Sequence, residues 1–372
     1  MLKFLMVLTI AAAAGLQSWM ILFNNFAVDV AGLNGQQIGV IGSVREIPGL
    51  LALLVVYVLL VLREHHLSAL SIVTVAIGSI MTGFLPTFSG LILSTLVLSF
   101  GFHYFETTNQ SLTLQYFDKS RAPLVFGKLR SLSAAVNIAA GVTVFCLGFL
   151  FEYKTIFILI GIVVLILGIW GFTQHPIDRH LPPQRQNMVV RRKYALFYFL
   201  TCMAGARRQI FVAFAVFLMV KEFDCSVVQV AGLFVVNNVI NYFLSPVIGR
   251  AIVRFGERRV LSLEYASLIL IFIGYAWTDS LFVVMFLYVA DHIFYNFAIA
   301  IRTYFQKVAD PEDIAPSMAV SFTINHLAAV ALPVIGGALW MIDYRIPFLT
   351  GAVMSAISLL AVQWIRIDPE TM

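Results

Sequence analysis

Charge is scarce in this chain: Asp, Glu, Lys and Arg make up 12% of its 372 residues, against 60% hydrophobic. Soluble domains carry about 25% charged residues, so a globular surface facing water on all sides is excluded. Long polar stretches are missing as well. No Gly- and Ser-rich linker or low-complexity tract interrupts the apolar runs, and no segment between them is long enough for a soluble catalytic domain. Cysteine is rare, and Cys146, Cys202 and Cys225 are too scattered for a disulfide framework or for metal-ligand spacing. They read as packing residues. The G-x-x-x-x-G-K-[ST] loop that cradles nucleotide phosphates is absent, so the driving force is expected from an ion gradient. The net charge of +5 does not point to nucleic acid. The Lys and Arg residues collect in short loops on one side, as membrane topology alone requires.

What fills the chain instead is a succession of apolar runs of about 20 residues, each long enough to cross a bilayer. Reading them between polar breaks predicts twelve helices, at 4–28, 37–62, 68–85, 89–117, 125–150 and 154–173, then 193–220, 226–251, 259–277, 280–307, 316–341 and 346–365. Lys3 followed by apolar Phe4 to Leu22 imitates a signal peptide, but Asn24, Asn25 and Asp29 continue the same helix, so an uncleaved first span is expected. One set of loops holds Arg63, Lys119, Arg121, Arg179, Arg185, Arg191, Arg192, Lys193, Arg254, Arg258, Arg259, Lys307 and Arg366. The other holds Lys154, Lys221 and Arg345. The excess belongs inside, which places both termini and the connection from His175 to Lys193 in the cytoplasm, as in a bacterial inner-membrane protein.

The halves look related. Gln37-Ile38-Gly39 opens span two as Gln229-Val230-Ala231 opens span eight; His103 with Tyr116-Phe117 in span four matches His292 with Tyr304-Phe305 in span ten. The layout expected is a six-helix bundle over 1–173, a cytoplasmic linker over 174–192 and a second bundle over 193–372. Polarity repeats too. Spans three, six, nine and twelve are nearly free of charged or amide side chains at their midpoints and are expected to face lipid, while the other eight surround something wet.

Gly249-Arg250-Ala251-Ile252-Val253-Arg254-Phe255-Gly256-Glu257-Arg258-Arg259, between spans eight and nine, resembles the cytoplasmic G-x-x-x-D-R-x-G-R-R signature of the major facilitator superfamily, with Val253 in place of the aspartate. The equivalent first-half loop, Leu62 to Ser68, has lost the signature. Pro333-Val334-Ile335-Gly336-Gly337 in span eleven and Phe126-Gly127-Lys128-Leu129-Arg130 at the start of span five are also similar to family patterns. Span five lacks the Gly-Pro pattern associated with many drug-proton antiporters. The resemblance covers essentially the whole chain. It implies an all-α fold of two pseudo-symmetric six-helix bundles around a central cavity opened alternately to each side, with Gly141, Gly148, Gly336 and Gly337 at close helix contacts.

Arg207 and Arg208 stand at the centre of span seven. Each arginine at that depth costs about 2.5–3.5 kcal/mol on insertion scales, so the pair is tolerated only against a polar cavity or a partner. Adjacent helical residues point about 100° apart, so one is expected at the substrate and the other in an internal pair. A guanidinium suits bidentate recognition of carboxylate or phosphate. The alternative is that Glu46, Glu106 or Asp291 neutralises both and the set only holds helices together. His103, Glu106 and Gln110 recur at i, i+3 and i+7 and share a face expected to line the cavity. Glu106 is the expected proton carrier, with Glu46 and Asp291 as further acids. Asn25, His292, Asn296 and His326 are candidate substrate contacts, although an intramembrane histidine also serves as an interhelical hydrogen-bond donor. Arg45 and Arg254 are expected in ion pairs or gating, Asn237, Asn238 and Asn241 as glue between helices, and Arg130 and Arg302 as snorkelling residues. No tight His/Cys spacing supports a transition-metal site, and no resident cofactor is expected.

These residues predict a secondary active transporter moving a small organic anion, proton-coupled, acting as a monomer in the bilayer. Two other readings stay open. One is a proton-driven efflux pump for amphipathic or cationic compounds with Phe-rich walls, and the other a non-transporting membrane assembly factor or receptor.

Overall fold

The structure is a computed structural model. It describes residues 1–176, 181–225 and 227–366, so Arg179 of the basic connection lies outside the described residues. Every regular element among them is helical.

In chain order the spans are Leu2–Asp29, Gln36–Val58, Glu64–Phe84, Phe88–Tyr116, Ala122–Gly148 and Tyr153–Phe172, then Arg192–Phe223, Gly232–Phe255, Glu257–Trp277, Leu281–Val308, Ile314–Trp340 and Arg345–Val362. The ends of the twelve described spans match the apolar runs to within about two helical turns. Eleven of them are long and apolar enough to cross a membrane, and Ile314–Trp340 is a further apolar helix of 27 residues. The chain condenses into two compact units: 1–116, 132–189 and 311–323 form the first, and 117–131, 190–310 and 324–372 the second.

In the first unit, span four lies against span three at two glycines. A Cβ on Gly78 would sit 2.6 Å from the Leu98 Cα, and one on Gly101 would sit 2.5 Å from the Ser71 carbonyl oxygen. Without side chains there, the backbones meet directly. Three polar side chains buried in this core bond to one another. The Trp19 indole donates to Thr82 Oγ1 at 3.1 Å, and the Thr82 hydroxyl lies 3.1 Å from Ser94 Oγ.

Span two starts with a capping box in which Asn34 and Gln37 each accept from the other's backbone N–H. Its regularity is then lost. Pro48 lacks an N–H, and Leu51–Leu54 tightens into a 3-10 turn. Thr323, at the end of the first unit's portion of span eleven, accepts from the Leu53 N–H at 2.9 Å and donates to the Leu50 carbonyl at 3.0 Å. One hydroxyl thus serves both backbone groups beside the break.

The second unit contains two further irregular helices. Span seven runs as α-helix over Ala195–Gln209, widens into a π-helix at Ile210–Ala215, and resumes at Val216–Phe223. Span ten changes to a 3-10 turn at Asn296–Ala298. Gly256 joins spans eight and nine at φ 79°, a backbone conformation that disfavours a side chain. Of the glycines expected at helix contacts, Gly336 meets the Phe214 ring, whereas Gly148 and Gly337 meet nothing within 4 Å and Gly141 only Ile21 at 4.0 Å. In this unit the tight backbone approaches fall at Gly127, Gly205 and Gly249.

Candidate functional site in the second unit

Arg207 leaves the last α-helical turn of span seven just before the π segment and is 3% exposed. Its guanidinium reaches Glu264 Oε1 at 3.8 Å, donates to Ser358 Oγ and lies 4.4 Å from the centre of the Tyr265 ring. A charge pair and a ring face together offset part of the cost of burying it. Among the acids expected to neutralise it, the ion pair goes to none: its partner is Glu264. That residue is 2% exposed on span nine, a helix whose apolar midpoint reads as lipid-facing. Ser358 comes from span twelve, read the same way. The polar interior of this unit therefore reaches the helices that appear blank in sequence.

Asp291 of span ten is 3% exposed and lines one cavity with Arg207, Arg208, Glu264 and Tyr295. The cavity has about 10 Å³ of free space, near the minimum for one water molecule. Four buried atoms there, Arg207 Nε and Nη2, Glu264 Oε2 and Asp291 Oδ2, make no hydrogen bond to the protein. Arg208 occupies a neighbouring face of span seven, with its guanidinium centre 5.9 Å from that of the Tyr295 ring. The adjacent arginines have divided as helix geometry requires, one turned inward to Glu264 and one beside Tyr295.

A second polar group surrounds the irregular turn of span ten. Asn296 accepts from Arg130 Nε at 3.1 Å and donates to Asn241 Oδ1 at 2.6 Å, while Asn241 Nδ2 lies 2.7 Å from His292 Nε2. Arg130, read from sequence as snorkelling, is exposed and hydrogen-bonds to Asn296 within this unit. Asn241 holds span eight to span ten, as expected of it. His326 is buried on span eleven, and Arg254 is exposed over the Phe255 ring. The fully buried acid of the span eight to nine junction is Glu257, which accepts from Lys307 Nζ at 2.8 Å. Sequence reading passed over this pair because its members lie 50 residues apart.

In the first unit, His103 Nδ1 lies 2.8 Å from the Ser99 carbonyl and 3.0 Å from Ser99 Oγ, whose hydroxyl donates to the Arg45 carbonyl. Gln110 Nε2 donates to Glu106 Oε2 at 3.1 Å, so two of the three residues on the predicted face of span four bond to each other, while His103 bonds to Ser99. Arg45 and Glu46 pair with each other at 3.2 Å. Asn25 is exposed on span one.

A sequence model described as the Major Facilitator Superfamily matches residues 4–301 and 197–372. The chain belongs to the major facilitator superfamily. As a member it is a multi-pass integral membrane protein and a secondary transporter, in a family whose members bind small-molecule substrates and often couple to protons. A search of curated proteins found no significant match. Solved structures similar to the chain include a bacterial homologue of the iron transporter ferroportin, with 14% identity, a TM-score of 0.75 and 98% of each chain covered. The E. coli fucose:proton symporter gives 13% identity and a TM-score of 0.78, with 98% of each chain covered. The human organic anion transporter TETRAN gives 13% and 0.72, covering 97% of this chain and 98% of its own. At these identities the likeness establishes the facilitator fold.

Proposed function

We propose that this facilitator couples the movement of a small organic anion to protons, and that the Arg207, Arg208, Glu264 and Asp291 cluster is where the two are linked. The observation that carries the reading is the charge count of one cavity, in which two guanidiniums face two buried carboxylates. With both carboxylates ionised the four formal charges cancel, and with one protonated the cluster carries one positive charge. An unbalanced buried charge is unfavourable, so a bound proton favours a bound anion. By linkage the anion must then raise the affinity for the proton by the same factor. That is the logic of symport. Arg207 is paired with Glu264 and Ser358, and Arg208, on the neighbouring face beside Tyr295, is the anion ligand in this reading because its planar fork suits a carboxylate or phosphate. About 10 Å³ is too little for an organic substrate, so the enclosed space serves the proton.

Glu106, hydrogen-bonded to Gln110, is the corresponding acid of the first unit and a second proton site in this reading. The similar fucose:proton symporter and organic anion transporter support the two halves of the proposal, proton coupling and anionic cargo. Two six-helix bundles joined through 174–192, a monomeric inner-membrane protein and cytoplasmic termini complete it.

The test is transport by purified protein in liposomes, with labelled carboxylates, phosphates and lipophilic cations, under and without a pH gradient. Wild-type protein should concentrate at least one anion only when the gradient is present. Glu264→Gln and Asp291→Asn should exchange that anion without concentrating it, and Arg208→Ala should lose it. Gradient-driven accumulation retained by both acid variants would falsify the coupling role of the cluster. Movement of cations but not anions would replace the reading with drug efflux.

A further inference from the structure

The hydrogen bonds around the irregular turn of span ten have a determined direction. Arg130 Nε can only donate, so the Asn296 atom 3.1 Å from it must be the amide oxygen. The other end of that amide lies 2.7 Å from the His292 carbonyl, which can only accept, and this independently places Nδ2 there. Asn296 Nδ2 then also donates to Asn241 at 2.6 Å, which makes the Asn241 atom an oxygen and turns its own Nδ2 toward His292 Nε2 at 2.7 Å. An N–H pointing at Nε2 requires a lone pair on it. The ring proton is left to Nδ1.

We propose that Arg130, Asn296 and Asn241 hold His292 as the neutral Nδ1–H tautomer, making it a fixed hydrogen-bond donor and not a carrier of protons. Protonating Nε2 would set donor against donor at Asn241. Relief by flipping Asn241 would set its NH2 against the Asn296 NH2, and flipping Asn296 in turn would set donor against donor at Arg130 and oxygen against oxygen at the His292 carbonyl. The chain therefore resists protonation at every link. Among the described residues the hydrogen-bond partner of Nε2 is Asn241; Asp291, adjacent in span ten, turns about 100° away, and the Phe211 ring of span seven, 6.0 Å from the imidazole, offers no acceptor. Arg130, bonded into the same chain of side chains, is cationic and disfavours a further positive charge. Resting on the transporter reading above, the role of the Nδ1–H is to bind an acceptor oxygen of the cargo, of the carboxylate, phosphate or hydroxyl class. Arg130, Asn241 and Asn296 are its positioning residues.

Full-length protein labelled with ¹⁵N-histidine in lipid nanodiscs tests this without any cargo. The His292 ring, assigned by difference from His292→Gln, should show a protonated Nδ1 and an unprotonated Nε2 that do not titrate between about pH 5 and 8, the range in which an ordinary histidine changes charge. Asn241→Asp presents a carboxylate and should move the proton to Nε2 or make the ring titrate. Arg130→Gln, a milder change should Asn241→Asp fold poorly, should give a mixture of tautomers. An Nε2–H ring or an imidazolium in the wild-type protein at pH 7 overturns the proposal. Once a cargo is in hand, His292→Gln, which keeps an N–H, should weaken its binding less than His292→Leu, by about tenfold. Equal losses would overturn the donor role while leaving the tautomer measurement intact, so failure of the transporter reading and of this one are separable.

Discussion

Arg207 illustrates what a single buried charge demands of its surroundings. Removing one partner from a buried ion pair costs about 3–5 kcal/mol, because the other is left charged and unsolvated. Arg207→Ala should therefore lower the melting temperature in detergent sharply, and adding Glu264→Gln to it should recover much of the loss. Strictly additive effects of the two substitutions would show that the residues at 3.8 Å do not interact. The arginines announce themselves in the sequence, since no composition hides two charges in an apolar run. Glu264 does not. It stands eight positions from the basic loop around Gly256, where an acid has an ordinary solvated role, and only the folded arrangement of the second unit brings it to Arg207. Asp291 and His292 were visible as candidates, but the direction of each hydrogen bond around them belongs to the folded arrangement alone.

At the level of elements, existence and order of the spans are legible because about 20 consecutive apolar residues have few other fates. Their irregularities are legible in part. Pro48 marks the break in span two, but nothing in Ile210–Ala215 distinguishes a π turn from the α-helix on either side. That segment begins three residues after Arg207, and π segments recur at functional sites. Glycine contacts follow the same division. A Cβ at Gly205 would sit 2.5 Å from the Asn325 carbonyl oxygen and 3.0 Å from its Cα, both backbone atoms unable to step aside. Gly205→Ala should destabilise the protein by about 1–3 kcal/mol, as overpacking does, whereas Gly148→Ala should change thermal unfolding little. A Gly205→Ala protein as stable as wild type would mean that spans seven and eleven are not held this close. Composition alone ranks these two glycines equally.

For the whole molecule, orientation is a prediction of the loops. With the three native cysteines removed, Asp279→Cys should react with a membrane-impermeant maleimide on intact cells, and Ser120→Cys only after the membrane is opened. The reverse pattern would invert the topology derived from Lys and Arg. The sequence by itself determined that the chain is a twelve-span membrane protein, which way its basic loops are expected to face, and which charges stand where lipid forbids them. Those properties are set by local composition and by the hydrophobic thickness of the bilayer, both of which act along the chain. Tertiary structure decided that Arg207 pairs with Glu264 and that Arg130 hydrogen-bonds to Asn296. Ion pairs and hydrogen bonds are made at about 3 Å between residues far apart in sequence, and a one-residue rotation of a helix, about 100°, is enough to exchange their partners.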